Sequence, residues 1–476
     1  MSTFDIAPDF AVGTDWQAVA GAETELGYFD TGELTLLRAG ITVRRTANGW
    51  RLDAGDYQQR WSDRGESAPD HGETVPDRGE SPPEELRRLL APWAPDDLRA
   101  VLTLRISRTE YQIRDRAGEL QLALADCEIR ADGRSIALTT SRWRELRLSR
   151  GPAGGNEELA QAAADLTSRG AVQRADGRSG LSIAVHGHPD RHGPNSAAGL
   201  IADYLRAQCD ALVGGHCAVS STPFDDEPAE DPPEAVHRTR VATRRTRATL
   251  RSFAALFQAE PAGRLGDELA WFAGVLGPVR DLEVLRSRLS RAVRALPAEL
   301  VIGPVGEQID SFLRAELHQA TQALLAALTG ERYRQLVLEL ARWRTDPPFT
   351  DLAHQPAGRL SKYLDRAERT LAKKLEQADR DPQDEKLHSA RKAGKRARYA
   401  AEVAAPALGK SASALAASAE RLQTVLGEHQ DAVVSVEVLR RISEQVAESG
   451  QNAFSYGVLV ADQHRLATEA ARAARD

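Results

Sequence analysis

The chain has 476 residues, with 62 Lys and Arg against 69 Asp and Glu and a formal net charge of −7. At roughly 150 residues per domain this length implies two to four domains, and 42% hydrophobic with 28% charged residues excludes a chain disordered throughout. The charge balance excludes a uniformly basic protein but not a local basic face, and an aromatic content of 5% argues against base-stacking platforms.

The first segment, residues 1–185, reads mainly as β-structure. Its start, Met1 to Asp9 with Pro8, lacks the basic and apolar stretches of a signal peptide, and no later apolar run reaches about 18 residues, so a soluble cytoplasmic protein without membrane contact is expected. Leu36 to Arg45, Gly49 to Asp53, Ala100 to Ser107 and Leu120 to Ile129 show near-alternating polarity, and Asp115 to Gly118 supplies turn chemistry. Period 2 puts Leu102, Leu104 and Ile106 on one face and Thr103, Arg105 and Ser107 on the other. A closed antiparallel sheet with a polar lumen would use both faces. A tandem heptapeptide, Arg64 to Asp70, His71 to Asp77 and Arg78 to Glu84, interrupts this region. Its Pro/Gly/Glu/Ser composition cannot offset ordering entropy, so a disordered insertion is expected at about 62–84.

Further breaks span Gly187 to Asn195 and Ser221 to Glu234. Cys127, Cys209 and Cys217 form no Cys-x-x-Cys pair, so neither a disulfide scaffold nor a structural zinc site is indicated. From about Asn195 onward the pattern is helical, with apolar residues at three and four spacing. Gly277-Pro278, Pro297, Gly303-Pro304, Gly330, Pro347-Pro348, Pro382 and Pro406 are the expected breaks, giving roughly ten helices.

The helical half is duplicated. His237, Arg240, Arg244, Arg245 and Arg247 recur as His388, Arg391, Lys395, Arg396 and Arg398, in the pattern His-x2-Arg-x3-(Lys/Arg)-Arg-x-Arg. Leu276-Gly-Pro-Val-Arg280-Asp281 follows the first copy, and Leu426-Gly-Glu-His-Gln430-Asp431 the second, in the same register. Two coupled motifs about 150 residues apart imply two halves, about 195–345 and 346–476, packed about a pseudo-twofold axis. With His237 at zero, Arg240, Arg244, Arg247 and Arg251 fall at about −60°, −20°, −80° and −40° on a helix, one narrow cationic ridge. His388, Arg391, Lys395 and Arg398 form its counterpart, widened by Lys392 and Arg396.

No acidic residue interrupts Val236 to Phe257 or Lys386 to Ala401, so neither ridge is expected to have local acidic partners. Aligned like charges cost stability unless an anion offsets them. Arginine suits that task by offering bidentate donors to phosphate oxygens. Two such ridges would line a groove fitted to a chain of phosphates. Asp281 and Asp431 are expected to orient arginines, and Arg280 is a further candidate polyphosphate contact; His237 and His388 are open between phosphate contact and an ordinary hydrogen-bonded helix position.

The segments 234–257, 274–289, 385–403 and 422–440 resemble the CHAD domain, the conserved-histidine α-helical domain, over about residues 195–476. That resemblance implies an all-α domain of two pseudo-symmetric bundles whose basic groove binds inorganic polyphosphate through these histidines and the Lys/Arg ridges, with no cofactor. Residues 1–185 are similar to the CYTH domain, the triphosphate tunnel metalloenzyme fold, at Tyr28 to Thr31, Leu37 to Arg44, Gly49-Trp50, Leu104-Arg105 with Arg108, Asp126 and Trp143 to Glu145. The fold implied for the whole is α+β multidomain, a β-tunnel followed by the helical domain.

The CYTH family's opening Glu-x-Glu-x-Lys stands here as Asp5-Ile-Ala7-Pro-Asp9, and its closing Glu-x-Glu as Glu145-Leu-Arg147. Triphosphate hydrolysis in that fold needs Mg²⁺ or Mn²⁺ held by carboxylates; Glu145 and Asp126 remain as candidate ligands, so impaired triphosphatase activity is expected, with an active metal-dependent triphosphatase acting on triphosphate-containing small molecules as the alternative. Arg44, Arg105 and Arg108 are candidate tunnel phosphate contacts. Polyphosphate is the expected partner, cytoplasm or polyphosphate granules the expected location, and nucleic acid is not expected, since no readout module is present.

Overall fold

In a computed structural model the chain divides into two compact units, residues 1–189 and 190–476. The structure describes residues 2–46, 49–62, 81–95, 98–133, 141–173, 192–193, 195–221, 233–381 and 383–474. Most of the expected insertion, residues 63–80, and the breaks at 187–191 and 222–232 lie outside the described residues.

The first unit is built on one sheet of β1 (Ser2–Ile6), β2 (Gln17–Asp30), β3 (Ile41–Thr46), β4 (Gly49–Ala54), β5 (Tyr57–Ser62), β6 (Arg99–Arg114), β7 (Leu120–Gly133), β8 (Ser141–Arg150) and β9 (Val172–Gln173). Its order is β5-β4-β3-β2-β6-β7-β8-β1-β9, with antiparallel ladders. The expected antiparallel architecture is present; among the described residues no ladder joins β5 to β9. Period 2 holds: Leu102, Leu104 and Ile106 pack with Tyr28, Cys127 and Ile129 on one face, while Leu124, Leu146 and Leu148 pack on the other with Phe4 and with Leu166 of a covering helix, Asn156–Ser168. The turn after β6 forms as its residues dictate, Asp115 Oδ1 accepting from the amides of Ala117 and Glu119 at 2.9 and 2.8 Å, with Gly118 at φ 86°.

The run Leu36 to Arg45 is not one strand. Thr35–Ala39 is a short helix, α1, and β3 begins only at Ile41, after Gly40 at φ 84°. A buried carboxylate makes the difference, because Asp30 accepts from the amides of Thr31, Leu36 and Leu37 at 2.6–2.9 Å and so satisfies the helix start. The following helices are α2 (Glu84–Leu90) and α3 (Asn156–Ser168), neither of which the alternation pattern reveals.

The second unit is all-helical: α4 (Ala197–Ser221), α5 (Pro233–Ser252), α6 (Ala259–Ala295), α7 (Val305–Leu328), α8 (Glu331–Thr345), α9 (Ser361–Arg380), α10 (Asp384–Leu408), α11 (Lys410–Glu448) and α12 (Phe454–Ala473). Two of the expected breaks do not occur. Pro278 lies within α6 and Pro406 within the last turn of α10. Pro278 donates no amide and its ring crowds the carbonyl four residues back, which belongs to Gly274, an exposed position where the freed carbonyl meets solvent.

The duplication is visible in the packing. Leu289 and Ile309 of the first half meet Leu439 and Leu459 of the second, each pair 150 residues apart, in one apolar cluster. α5 buries a face of hydroxyls instead, Thr239, Thr243, Thr246 and Thr249, each donating to the carbonyl four residues back at 2.7–3.0 Å. This small-residue face lets α4 approach closely. A Cβ on Gly215 would stand 1.9 Å from Thr239 Oγ1.

Candidate functional site

With threonine and alanine taking the buried face of α5, its arginines are forced to the other side. The same division on α10 buries Ala390, Ala393 and Ala397 and leaves Arg391, Lys395 and Arg398 half-buried. The two helices pack against each other, so the ridges meet. Arg244 Nε donates to the Tyr399 hydroxyl at 2.7 Å, and the guanidinium groups of Arg244 and Arg245 each lie 5.7 Å from the Tyr399 ring centroid.

At the centre of this seam stand Arg240, Arg244, Arg391 and Lys395, with Asp281 and Asp431. Arg240 pairs with Asp281 at 2.8 Å. Burial, and then the adjoining Arg391, Arg244 and Arg240, push the Lys395 ammonium down to about 7 against the opposing pull of Asp431. Arg391 is lowered by burial in the same surroundings, and Asp431 is raised, burial outweighing Arg391 and Arg288. Arg391 Nε is buried with no acceptor among the described residues. Four cations against two carboxylates leave the seam positive.

Both histidines flank this centre. Burial and the neighbouring Arg280, Arg244 and Arg240 lower His237, opposed by Glu234. His388 is lowered by burial and by Lys392, Arg391 and Lys395, although its Nδ1 meets Gln430 Oε1 at 3.1 Å, which favours the charged form. Without an anion, both therefore lean toward the neutral form.

The expectation that the ridges lack acidic partners needs correction. Glu402 lies one residue past the acid-free window on α10 and stands 3.0 Å from both Arg245 and Arg398, while also accepting from the Tyr204 hydroxyl at 2.8 Å. Arg398 reaches Glu420 as well, at 3.0 Å, and Arg280 lies 3.4 Å from Glu283. Arg245, Arg280 and Arg398 are thus held by carboxylates, as is Arg240. Lys392, Arg396 and Arg251 are exposed, and Arg247 sits beside Arg251 and Asp267. Tyr399, Glu402 and Tyr204 were not singled out by sequence; aligning the copies finds Glu402, because its counterpart is Arg251.

In the first unit the expected residues do not converge. Direct cross-strand partners share a face, so Tyr28 and Arg44 lie with Leu102 and hence with Arg108, whereas Arg105 lies opposite. Arg44 is 2.7 Å from Asp53, Arg108 2.7 Å from Glu110, and Arg105 3.2 Å from Glu25 and from Asp132. The two carboxylates read as metal ligands also part company. Glu145 is opposite Cys127 and Asp126 opposite Leu146, which puts them on opposite faces of the sheet. Arg147 lies 2.7 Å from Glu145, and Arg144 clasps Asp126 with Nε at 2.9 Å. These residues do not fit a shared Mg²⁺ or Mn²⁺, and among the described residues no group of three His, Cys, Asp or Glu side chains could hold a metal ion.

Fold and seam together define a duplicated helical domain with a cationic seam where its two halves meet. Residues 224–440 match the CHAD domain family, and the helical unit carries a CHAD domain. Two curated relatives, the uncharacterized proteins MT2285 and Rv2226 of Mycobacterium tuberculosis (strains CDC 1551 / Oshkosh and ATCC 25618 / H37Rv), are each 30% identical over 340 residues, covering 68% of this chain and 62% of theirs. The chain thus spans less than two thirds of the length of these relatives. Among solved structures, PptA from Streptomyces chartreusis is similar with a TM-score of 0.49 and 23% identity, over 59% of this chain and 98% of that one. The CHAD domain from the plant Ricinus communis gives 0.45 and 25%, over 61% and 96%. No helix among the described residues is long and apolar enough to cross a membrane.

Proposed function

We propose that the helical unit binds inorganic polyphosphate in the cleft between α5 and α10, in a soluble cytoplasmic protein able to associate with polyphosphate granules. The observation that carries this reading is the seam itself: Arg391 and Lys395 are half-buried beside Arg240 and Arg244, with no carboxylate within 4 Å of either among the described residues. Half-burying like charges together is unfavourable in the free protein and becomes favourable when phosphate oxygens enter. Arg391, Arg244 and Lys395 supply donors at the centre; His237 and His388 gain protonation as the anion arrives; Asp281 keeps Arg240 in place. The CHAD assignment supports the ligand class.

Calorimetry of the full chain at fixed salt tests this. Replacing Arg391 and Lys395 together by alanine lowers affinity for long-chain polyphosphate by at least about tenfold, since two charge-assisted contacts are lost, while helical circular dichroism is unchanged. Unchanged affinity refutes the site. Log affinity also falls linearly with log salt, as for other polyanions whose counterions are released.

A further inference from the structure

We infer that the cleft continues into a second phosphate subsite on one flank only, formed by Arg247, Arg251 and Arg396. This inference rests on the polyphosphate reading above. The repeat offset of 151 residues maps Arg245 onto Arg396, Arg247 onto Arg398 and Arg251 onto Glu402. On one flank, Glu402 stands 3.0 Å from both Arg245 and Arg398. The repeat relationship puts Arg251 where that carboxylate would be: Arg251 acts on Arg247, the counterpart of Arg398, and Arg396 is the counterpart of Arg245. On the first flank a carboxylate bridges two arginines; on the second the bridging position is held by a third arginine, and Asp267 is the acid that acts on Arg247.

The local details agree with an anion site. Burial and then Arg251 lower the Arg247 guanidinium, opposed by Asp267. Arg247 Nε is buried and meets no acceptor among the described residues. Arg396 is exposed, its Nε only 3.4 Å from the Lys392 carbonyl of its own helix. Arg251 is exposed, with no carboxylate within 4 Å among the described residues. The subsite is also continuous with the centre, because Arg244, Arg247 and Arg251 share one stripe of α5. Arg251 lies about 10 Å along the helix from Arg244, seven residues at 1.5 Å each.

That separation makes the subsite selective for length. A short condensed phosphate held by Arg244, Arg391 and Lys395 does not extend to Arg251, whereas a longer chain leaves the centre along the flank where three guanidinium groups attract it. The opposite flank, closed by Glu402, offers no such exit. The chain therefore extends from the centre to one side only.

Calorimetry of the full chain with tripolyphosphate and with long-chain polyphosphate, at the same salt, decides the matter. Arg251→Glu and Arg396→Glu each lower long-chain affinity by about tenfold and leave tripolyphosphate affinity within twofold. Arg251→Glu also keeps or raises the thermal midpoint, since it restores on this flank the carboxylate that clamps the other. Arg391→Ala, the control for the parent reading, weakens both ligands. If Arg251→Glu changes neither ligand, or both equally, while Arg391→Ala still weakens both, the second subsite is wrong and the central cleft stands. If Arg391→Ala changes neither, the polyphosphate reading itself falls.

Discussion

Arg244 and Tyr399, 155 residues apart in sequence, are joined by a 2.7 Å hydrogen bond from the guanidinium Nε to the phenolic oxygen. The bond ties the first copy of the motif to the second at the point where the two cationic ridges would otherwise repel. It also fixes the guanidinium beside an aromatic face, a favourable place for a cation.

Removing only that hydroxyl measures the tie. Tyr399→Phe keeps the ring and is expected to destabilise the helical unit by about 1 kcal/mol, the net worth of one hydrogen bond to a charged group at a partly exposed site. Urea unfolding followed by far-ultraviolet circular dichroism reads this. Polyphosphate affinity falls less than in Arg391→Ala, because Arg244 keeps its charge.

Lys395 predicts a pH dependence with a definite sign. The unfolded chain holds this proton up to the ordinary lysine value of 10.5, while the folded ligand-free protein releases it near 7. Below pH 7 both states are protonated and the fold carries the cost of the half-buried charge. Between about 7 and 10.5 the unfolded state binds more protons, so this group makes stability rise with pH. Lys395→Met removes that rise and raises the thermal midpoint at pH 6. Polyphosphate binding recharges the lysine, so calorimetry at pH 8 in buffers of differing ionisation enthalpy shows proton uptake, which Lys395→Met reduces.

Glu402 separates stability from affinity. Glu402→Gln leaves Arg245 and Arg398 without their shared carboxylate, and a cost of about 1–3 kcal/mol follows from half-buried charges that lose a partner. The same change adds one net positive charge beside the cleft. Thermal unfolding therefore shows a lower midpoint, while calorimetry shows tighter polyphosphate binding.

Gly215 tests the close approach of α4 and α5. Gly215→Ala places a methyl group 1.9 Å from Thr239 Oγ1, and overpacking of this kind costs about 1–3 kcal/mol. Adding Thr239→Ala removes the obstructing hydroxyl and recovers most of the loss. A double variant no more stable than Gly215→Ala alone would show that the contact is relieved elsewhere.

The legible parts of the sequence were those carried by period and repetition. The face shared by Leu102, Leu104 and Ile106, the turn at Asp115 to Gly118 and the pairing of the two ridges follow from spacing alone. Chemistry acting across the chain escaped it: Asp30 turns an alternating run into a helix by capping it from six residues away, and Glu402 neutralises Arg245 from a different helix. The misread metal pair has the same origin. Asp126 and Glu145 sit on adjacent strands, but a ladder register that no local pattern discloses decides which faces they share. Pro278 misled because a proline reads as a break until the residue four positions back, an exposed Gly274, is taken into account.

The shared apolar cluster of Leu289 and Ile309 with Leu439 and Leu459 has a consequence for how such a molecule can vary. Two identical polypeptides meeting across that core would be bound by symmetry to display the same residue at both flanks, Arg twice or Glu twice. Tandem fusion lifts that constraint, so one chain can keep a closed side and an open one.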